Sequence, residues 1–595
     1  MPPFFQSLRT LCFPVTLQLK YRSFNQFVAS TKVVRFIDTS VKHLSPVAYS
    51  ACRQFSTLKT VENMAPSHLD IDMKPQAVDI VRNAISAVSP KAMIENVLLY
   101  NQTTSTLNLH NRQYKINKNV FIVGFGNSVL GMARVVEDML GEHVVTGIIS
   151  IPSGLKQETV KAHDNDRFLS LKTKLQVYEV AENNVIDEAG HNASKAIHRL
   201  VSNLTESDVL IVLCTAGGSA LCPSPRPPIT LQELNLTIKL LNENGANTKE
   251  VNTLRKNLET LKGGGLALAA RPAKIISLIL SSVMGDKADL VASGPTCLTQ
   301  PSPHHCLEIL HRLHIIDKVP ANVKRFLERE ANLINATKVI SVQDPLKAKT
   351  ERDKAWEDVQ NVIVGNNSIA CQAAAKRASE LGYFPLVLTT VLTGEAKDLG
   401  ALFTKLAKFI MICYDRRAGM DPNPELSMLE VELVAGGIKK QWMNHIATSV
   451  YKAHNMNKNI CIISGGEIDV NVIGNGIGGK NTETALSAAL QMYEEFRVKQ
   501  MNVKECSVCF LSVDSDGMDG MTKVAGAVVD QTFLDEVDKS KLDMKPYLLN
   551  NDSYTFFKQV KDGKYLVQTN LTGTDIMDLT VLMVKQPTET KYVWK

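Results

Sequence analysis

The stretch Val120–Leu140, VFIVGFGNSVLGMARVVEDML, decides how the rest of the chain is read. Val120–Phe125 is an apolar run of strand length, Gly124 and Gly126 break it, and apolar residues at helical spacing follow. A buried strand that turns straight into a helix is the building unit of an α/β fold with a mainly parallel sheet. Many proteins hold phosphate at such a turn, because backbone N–H groups and the helix dipole both favour an anion there. Whether Gly124, Gly126 and Asn127 handle phosphate at all is the question this turn poses. Asn127 offers dipoles but no charge, so a phosphate held here needs a cation from elsewhere.

The same logic recurs outward from this stretch. DVLIVLCTAGGSAL gives a strand at Val209–Cys214 and then Gly217, Gly218 and Ser219 at a turn that opens a helix. PAKIISLILSSVMGD gives another strand, ending at Gly285 and Asp286. Strand ends that carry Gly, Ser and Asp collect on one edge of an open α/β sheet, where ligands bind. The Pro-rich CPSPRPPIT and SGPTCLTQPSPHH read as loops at the rim of that site. The polar segment Asn335–Glu357 is the candidate linker between domains at 64–345 and 346–595. Beyond it, NVIVGNNSIACQAAAKRASELGYFPLVLTT starts a second α/β domain near Asn361.

Composition narrows the function. At 595 residues and 44% hydrophobic, the chain has the length for two or three full cores. Lys plus Arg number 66 against 60 Asp plus Glu, and no basic stripe with interleaved aromatics argues for nucleic acid. Apolar runs such as IISLILSSVM are too short to cross a bilayer, so no membrane span is expected. Before Asp38 the chain carries Arg9, Lys20, Arg22, Lys32 and Arg35 and no acid, the pattern of a mitochondrial presequence within residues 1–63. A later start at Met64 would leave a cytoplasmic form. The eleven cysteines form no evenly spaced framework. Cys506 and Cys509 fall three apart in a strand, on opposite faces, and read as core residues rather than a redox or metal pair.

The last third is densest in chemistry. CIISGGEIDVNVIGNGIGGKNTETALSAAL holds Glu467, then Gly474, Gly476, Gly478, Gly479, Lys480 and Asn481 before a helix, with IDVNVIG alternating as a hairpin strand. Gly474–Lys480 matches a phosphate loop until Asn481 replaces the hydroxyl residue that would hold Mg²⁺. A Gly-rich turn with a solvated lysine reads equally well. SVDSDGMDGMTKVAGAVVD crowds Asp514, Asp516 and Asp519, which need solvent, a cation or Mg²⁺ between them. An Asp-rich turn is the structural alternative.

Six stretches in order carry a family resemblance: TAGGSALCPSPRPPIT, EVNTLRKNLETLKGG, SSVMGDKADLVASGPT, ISGGEIDVNVIGNGIGGKNTETALSAAL, DSDGMDGMTKVAGAVVD, and NNDSYTFFKQV with NLTGTDIMDLTVLMV. Together they resemble the class II glycerate kinases over nearly everything after Met64. The last three fall in that family's MOFRL region, about 460–585 here.

The resemblance implies ATP-dependent phosphorylation of D-glycerate to 2-phospho-D-glycerate with Mg²⁺, by a monomer or homodimer. It implies two α/β domains, a larger Rossmann-like one first and a smaller MOFRL-type one second, with the active site in the cleft between. It assigns chemistry to Lys480, Asp516, Asp286 and Arg255. Nucleotide and phosphate binding go to Gly124, Gly126, Asn127, Gly217, Gly218, Ser219, Gly478, Gly479 and Lys262, and metal binding to Asp516 and Asp519. Arg255 and Lys262, seven apart, are expected on one helix face that could hold a carboxylate or phosphate, with a solvated helix face as the alternative. The chain departs from the family pattern at Asn127, which replaces a lysine, and at Lys480, which replaces an arginine. It departs again at Asn257 for His, Ser282 for Asp and Lys523 for Asp. These departures keep a second class open, a binding or regulatory relative with weakened catalysis.

Overall fold

Strand β4 (Val120–Phe125) lies inside a six-stranded sheet of order β6-β5-β4-β7-β8-β9. Its partners are β5 (Val144–Pro152), β6 (Leu175–Val180), β7 (Val209–Cys214), β8 (Lys274–Leu280) and β9 (Val359–Gly365), and every pairing is parallel. All six residues of β7 are buried, because helices cover both faces of a parallel sheet and leave no side for polar residues. The strand order runs outward in one direction from β4 to β6 and in the other from β7 to β9. The reversal between β4 and β7 is the place where open parallel sheets form a crevice at their carboxyl ends. A small antiparallel meander, β1 (Leu98–Asn101), β2 (Thr106–Leu109) and β3 (Arg112–Lys115), precedes β4.

This computed structural model describes residues 72–157, 173–181, 185–300, 302–340, 356–415, 424–499 and 507–586. The basic leader, Cys506 and positions 341–355 of the expected linker lie outside them. The start of that linker, Asn335, lies in a helix, Ala321–Ile340. Among the described residues, no helix is long and apolar enough to cross a membrane.

The second sheet has the order β10-β11-β15-β12-β13-β14. Here β10 (Phe384–Glu395) and β11 (Ile460–Asp469) are parallel. The strands β12 (Val508–Asp514), β13 (Gly526–Asp530), β14 (Leu566–Val567) and β15 (Asp578–Val584) join by antiparallel ladders. A mainly parallel sheet thus describes the first half of the fold but not the second. The acidic turn joining β12 to β13 is too short for the crossover that a parallel return needs.

Two further expectations are corrected. Strand β9 pairs with β8, so the first sheet runs to Gly365, past both the expected boundary at 345/346 and the expected second-domain start near Asn361. The helix Met73–Ala87, before the first sheet in sequence, packs on the helix Asn367–Glu380 and on β12 and β15 of the second. Arg377 pairs with Asp79 at 2.7 Å and Lys74 with Asp530 at 3.4 Å to hold it there. The residues from Asp72 onward cluster as one unit. IDVNVIG is no hairpin strand: β11 stops at Asp469 and residues 470–479 form a loop.

Candidate active site

The Gly-x-Gly turn at the end of β4 is a packing device. A Cβ on Gly124 would stand 3.1 Å from Leu213 Cβ, and one on Gly126 (φ +143°) would stand 2.1 Å from Thr215 Oγ1. The glycines therefore let the ends of β4 and β7 close on one another. Asn127 donates its backbone N–H to Ala216 O at 2.9 Å, and its side chain lies against Gly217, whose missing Cβ would be 2.3 Å from Asn127 Oδ1. That oxygen is buried with no hydrogen-bond partner. The phosphate-cradle reading of Gly124, Gly126 and Asn127 gives way to a platform beneath the second turn.

The second turn faces a cavity of about 450 Å³. Gly217, Ser219, Asn252 and Arg255 line it from the first-sheet side, while Glu467, Lys480, Asp514, Asp516 and Asp575 line it from the second. Arg255 ends a short helix, Thr248–Leu258, and donates to Glu259 Oε1 at 3.2 Å and to Ser219 O at 3.1 Å. The helix stops before Lys262, so these two cations share no helix face. Lys262 is 1% exposed; its ammonium donates to Gly218 O at 3.3 Å and lies 5.5 Å from the Phe125 ring centre. It supports the turn from behind rather than lining the cavity. Asp286 accepts from Asn366 Nδ2 at 2.7 Å, where the chain passes from the first sheet to the second, and it too lies off the cavity wall.

The opposite wall follows from strand register. Asp514 and Asp578 are directly paired across the β12–β15 ladder, and like charges so placed repel. Lys480, the first residue of the helix Lys480–Tyr493, sits between them, 3.3 Å from Asp514 Oδ2 and 3.1 Å from Asp578 Oδ2, with Glu467 Oε1 at 4.0 Å. Burial by itself would lower the lysine's pKa, but Asp578, Asp514 and Glu467 together push it above the ordinary range. Asp578 also accepts from Ile468 N and from Asn481 Nδ2, both at 2.7 Å, and Ser512 Oγ donates to Asn481 Oδ1 at 2.6 Å.

Asp516 accepts from Met518 N at 2.7 Å, and burial first, then the charge of Asp514, pushes it up to about 8. Asp575 rises to about 6 for the same two reasons. Asp519 does something else. It is 0% exposed and accepts from Asn481 N at 2.8 Å and from Thr482 N and Thr482 Oγ1 at 2.7 Å, capping the helix that Lys480 begins. Its expected metal role is corrected by that geometry, since its oxygens are taken by the helix start. Gly478 and Gly479 are likewise packing residues. A Cβ on Gly479 would meet Asp519 Cγ at 2.4 Å, and one on Gly478 would meet Ser553 Oγ at 2.3 Å.

Of the residues picked from sequence, the fold gathers Gly217, Ser219, Arg255, Lys480 and Asp516 on the cavity wall, with Gly218 buried in the same turn. Glu467, Asp514, Asp575 and Asn252 line it without having been assigned a role. For Asp575 and Asp578 the signal was two acids at the entry of an apolar strand, TDIMDLTVLMV, where a charge has no place unless paired.

The carboxylate wall suits a hard divalent cation. Burial and mutual repulsion raise Asp516 and Asp575, the mark of oxygen donors short of positive charge. Among the described residues, no three His, Cys, Asp or Glu side chains form a ready-made metal cage.

The family described as "Domain of unknown function (DUF4147)" matches residues 76–328 and the MOFRL family matches residues 460–578. Glycerate kinase of Rattus norvegicus is 36% identical over 511 residues, 85% of this chain and 92% of that protein. D-glycerate 2-kinase of Thermotoga maritima is 28% identical over 512 residues, 86% of this chain and 98% of that protein. The crystal structure of glycerate kinase from Thermotoga maritima superposes with a TM-score of 0.62 at 26% identity, covering 86% of this chain and 99% of that one.

Proposed function

The chain belongs to the glycerate kinase family, and we propose that it transfers the γ-phosphoryl group of ATP to the 2-hydroxyl of D-glycerate in this cavity. The observation that carries the reading is the Lys480 ammonium held over the cavity by Asp514 and Asp578. Phosphoryl transfer needs reactants in line and charge neutralised on the moving group, with little covalent help from the protein. Lys480 supplies a permanent positive charge on the wall that faces Arg255. Arg255 supplies a second, positioned to take the substrate carboxylate. Asp516, in its ionised form, is the wall carboxylate poised to accept the proton of the attacking hydroxyl. Asp514 and Asp516 would hold Mg²⁺, which when bound neutralises the phosphate oxygens of ATP. On this reading the first half of the fold is the Rossmann-like part, the second is the MOFRL-type part, and the active site lies in the cleft between.

The test is ATP consumption by the chain from Met64 onward with D-glycerate, resolving 2- from 3-phosphoglycerate. Formation of 2-phosphoglycerate is expected; ADP without phosphoglycerate would point to another acceptor, and binding without turnover to a regulatory relative. We further propose import into mitochondria through residues 1–63. A fluorescent protein carrying them should enter mitochondria, and diffuse cytosolic signal would remove the proposal.

A further inference from the structure

The hydroxyl of Ser219 faces the cavity as a hydrogen-bond acceptor only, and we infer that it reads the substrate hydroxyl that is not phosphorylated. The protons available to these side chains set the direction of each bond. Asn252 Nδ2 donates to Leu290 O at 3.4 Å, which fixes the amide so that its Oδ1 faces Ser293. Ser293 Oγ donates its one proton to that Oδ1 at 2.5 Å. Ser219 Oγ and Ser293 Oγ stand 2.7 Å apart, and with the Ser293 proton spent, Ser219 must be the donor between them. The Ser219 proton is then spent as well, and its remaining lone pair is what the cavity meets.

The frame around this relay is rigid. Ser293 is 0% and Asn252 5% exposed, so both partners are largely shielded from bulk water. Ala292, Ser293 and Gly294 hold φ of 50°, 61° and 62°, a left-handed run that non-glycine residues adopt only when their surroundings impose it. Ala292 packs where a Cβ on Gly218 would stand 2.9 Å away, so the run and the Gly217–Ser219 turn fix one another.

Phosphate is the wrong ligand for such an oxygen, because an ionised phosphate accepts hydrogen bonds and donates none. In the turn's backbone, the N–H groups of Gly218, Ala220 and Leu221 are already engaged, donating to Thr215 O and Gly217 O. The expected phosphate role of Ser219 thus becomes a substrate role. A hydroxyl donor fits, and it cannot be the reacting one. The relay ends on an amide oxygen, which does not take up a proton, so Ser219 can bind a hydroxyl but cannot deprotonate it. Arg255, whose guanidinium donates to Ser219 O at 3.1 Å, puts a carboxylate partner next to the hydroxyl reader. The pair matches an α-hydroxy acid that carries a second hydroxyl.

The inference rests on the phosphorylation of the D-glycerate 2-hydroxyl proposed above, which makes the 3-hydroxyl the one read. The test compares D-glycerate with D-lactate, which lacks only that 3-hydroxyl. Lactate is measured as a substrate where it turns over and as a competitive inhibitor where it does not. Ser219→Ala should raise KM for D-glycerate about tenfold, the usual effect of one neutral hydrogen bond. It should leave kcat, KM for ATP and the lactate constant within about twofold of the native enzyme. Ser293→Ala frees the Ser219 proton, allows it to rotate into the cavity, and should give an intermediate rise in KM for glycerate alone. Equal losses on both acids would reduce Ser219 to a structural residue. A raised KM for ATP would return it to phosphate binding. Absence of any 2-phosphoglycerate from the native enzyme would instead overturn the functional reading itself.

Discussion

The two walls of the cavity are built from opposite materials. On the first-sheet wall the cations are tied back: Arg255 lines the cavity with its charge shared with Glu259, and Lys262 is sealed behind the Gly217–Ser219 turn, so hydroxyls, amide groups and a single guanidinium face the substrate. On the second-sheet wall the charges are crowded, with Asp514 and Asp578 paired across a ladder and Lys480 set between them. The difference follows from topology. Loops at the carboxyl ends of parallel strands present small residues at a crevice. An antiparallel ladder brings distant parts of the sequence into side-by-side register and stacks their carboxylates. The first wall is suited to reading the substrate's hydroxyl and carboxylate, and the second to moving charge.

If that division is right, the largest effect comes from Lys480. Lys480→Met should lower kcat by about 10³-fold or more, the range seen when a cation is removed from a transferring phosphoryl group. It should also lower Tm, because Asp514 and Asp578 are left facing one another without a counter-charge. Steady-state kinetics and thermal melting check both. A variant with native kcat would move the charge-handling role off this wall.

Asp516→Asn should cost about 10²-fold in kcat, the low end for a lost general base. Its stability effect has the opposite sign to that of Lys480→Met. Asp516 has a folded pKa of about 8, above its unfolded value, so the folded state holds a proton that the unfolded state has released. Its contribution is therefore fully present below the unfolded pKa and is lost as pH rises through about 8. Native Tm without metal should fall between pH 6 and pH 8, and less so in Asp516→Asn. Mg²⁺ added at pH 7 should release protons, measurable by calorimetry in buffers of different ionisation enthalpy. A Tm that rises over this range would place the group's ionised form in a stabilising pair.

The walls also differ in how far the sequence exposed them. The strand-turn-helix pattern at Val120–Leu140 and Val209–Leu221 was legible because each unit is local: an apolar run, glycines, then helical spacing. The antiparallel joints of the second sheet were not, since β15 pairs with both β11 and β12 across long separations that no local pattern records. The site divides in the same way. Lys480 and Asp516 were found because their glycine-rich and acidic surroundings are conspicuous in one stretch. Asp578 acquires its role only when the β12–β15 register sets it beside Asp514. Glycines were over-read, because a glycine required by a close approach of two backbones and one required by a phosphate have the same letter.

Asp519 separates the structural acid from the functional ones on the crowded wall. Asp519→Ala removes three hydrogen bonds at the start of the helix that carries Lys480, and should cost about 1–3 kcal/mol of stability by denaturant unfolding. At a temperature where the variant stays folded, its loss of kcat should be smaller than that of Asp516→Asn. A larger loss would give the cap a part in the chemistry.

The smallest effect is expected at Asn127, on the quiet wall and behind it. Its Oδ1 is buried without a partner, so Asn127→Ala removes a desolvated oxygen at the same time as it removes contact with Gly217. Those terms oppose one another, and stability should stay within about 1 kcal/mol of native. Because Asn127 does not line the cavity and Lys480 supplies the charge from the other side, kcat should change by no more than about two- to threefold. A hundredfold loss of kcat at unchanged Tm would break the comparison. It would mean that Asn127 handles the phosphoryl group through the Gly217 turn, and that the wall that reads the substrate also moves charge.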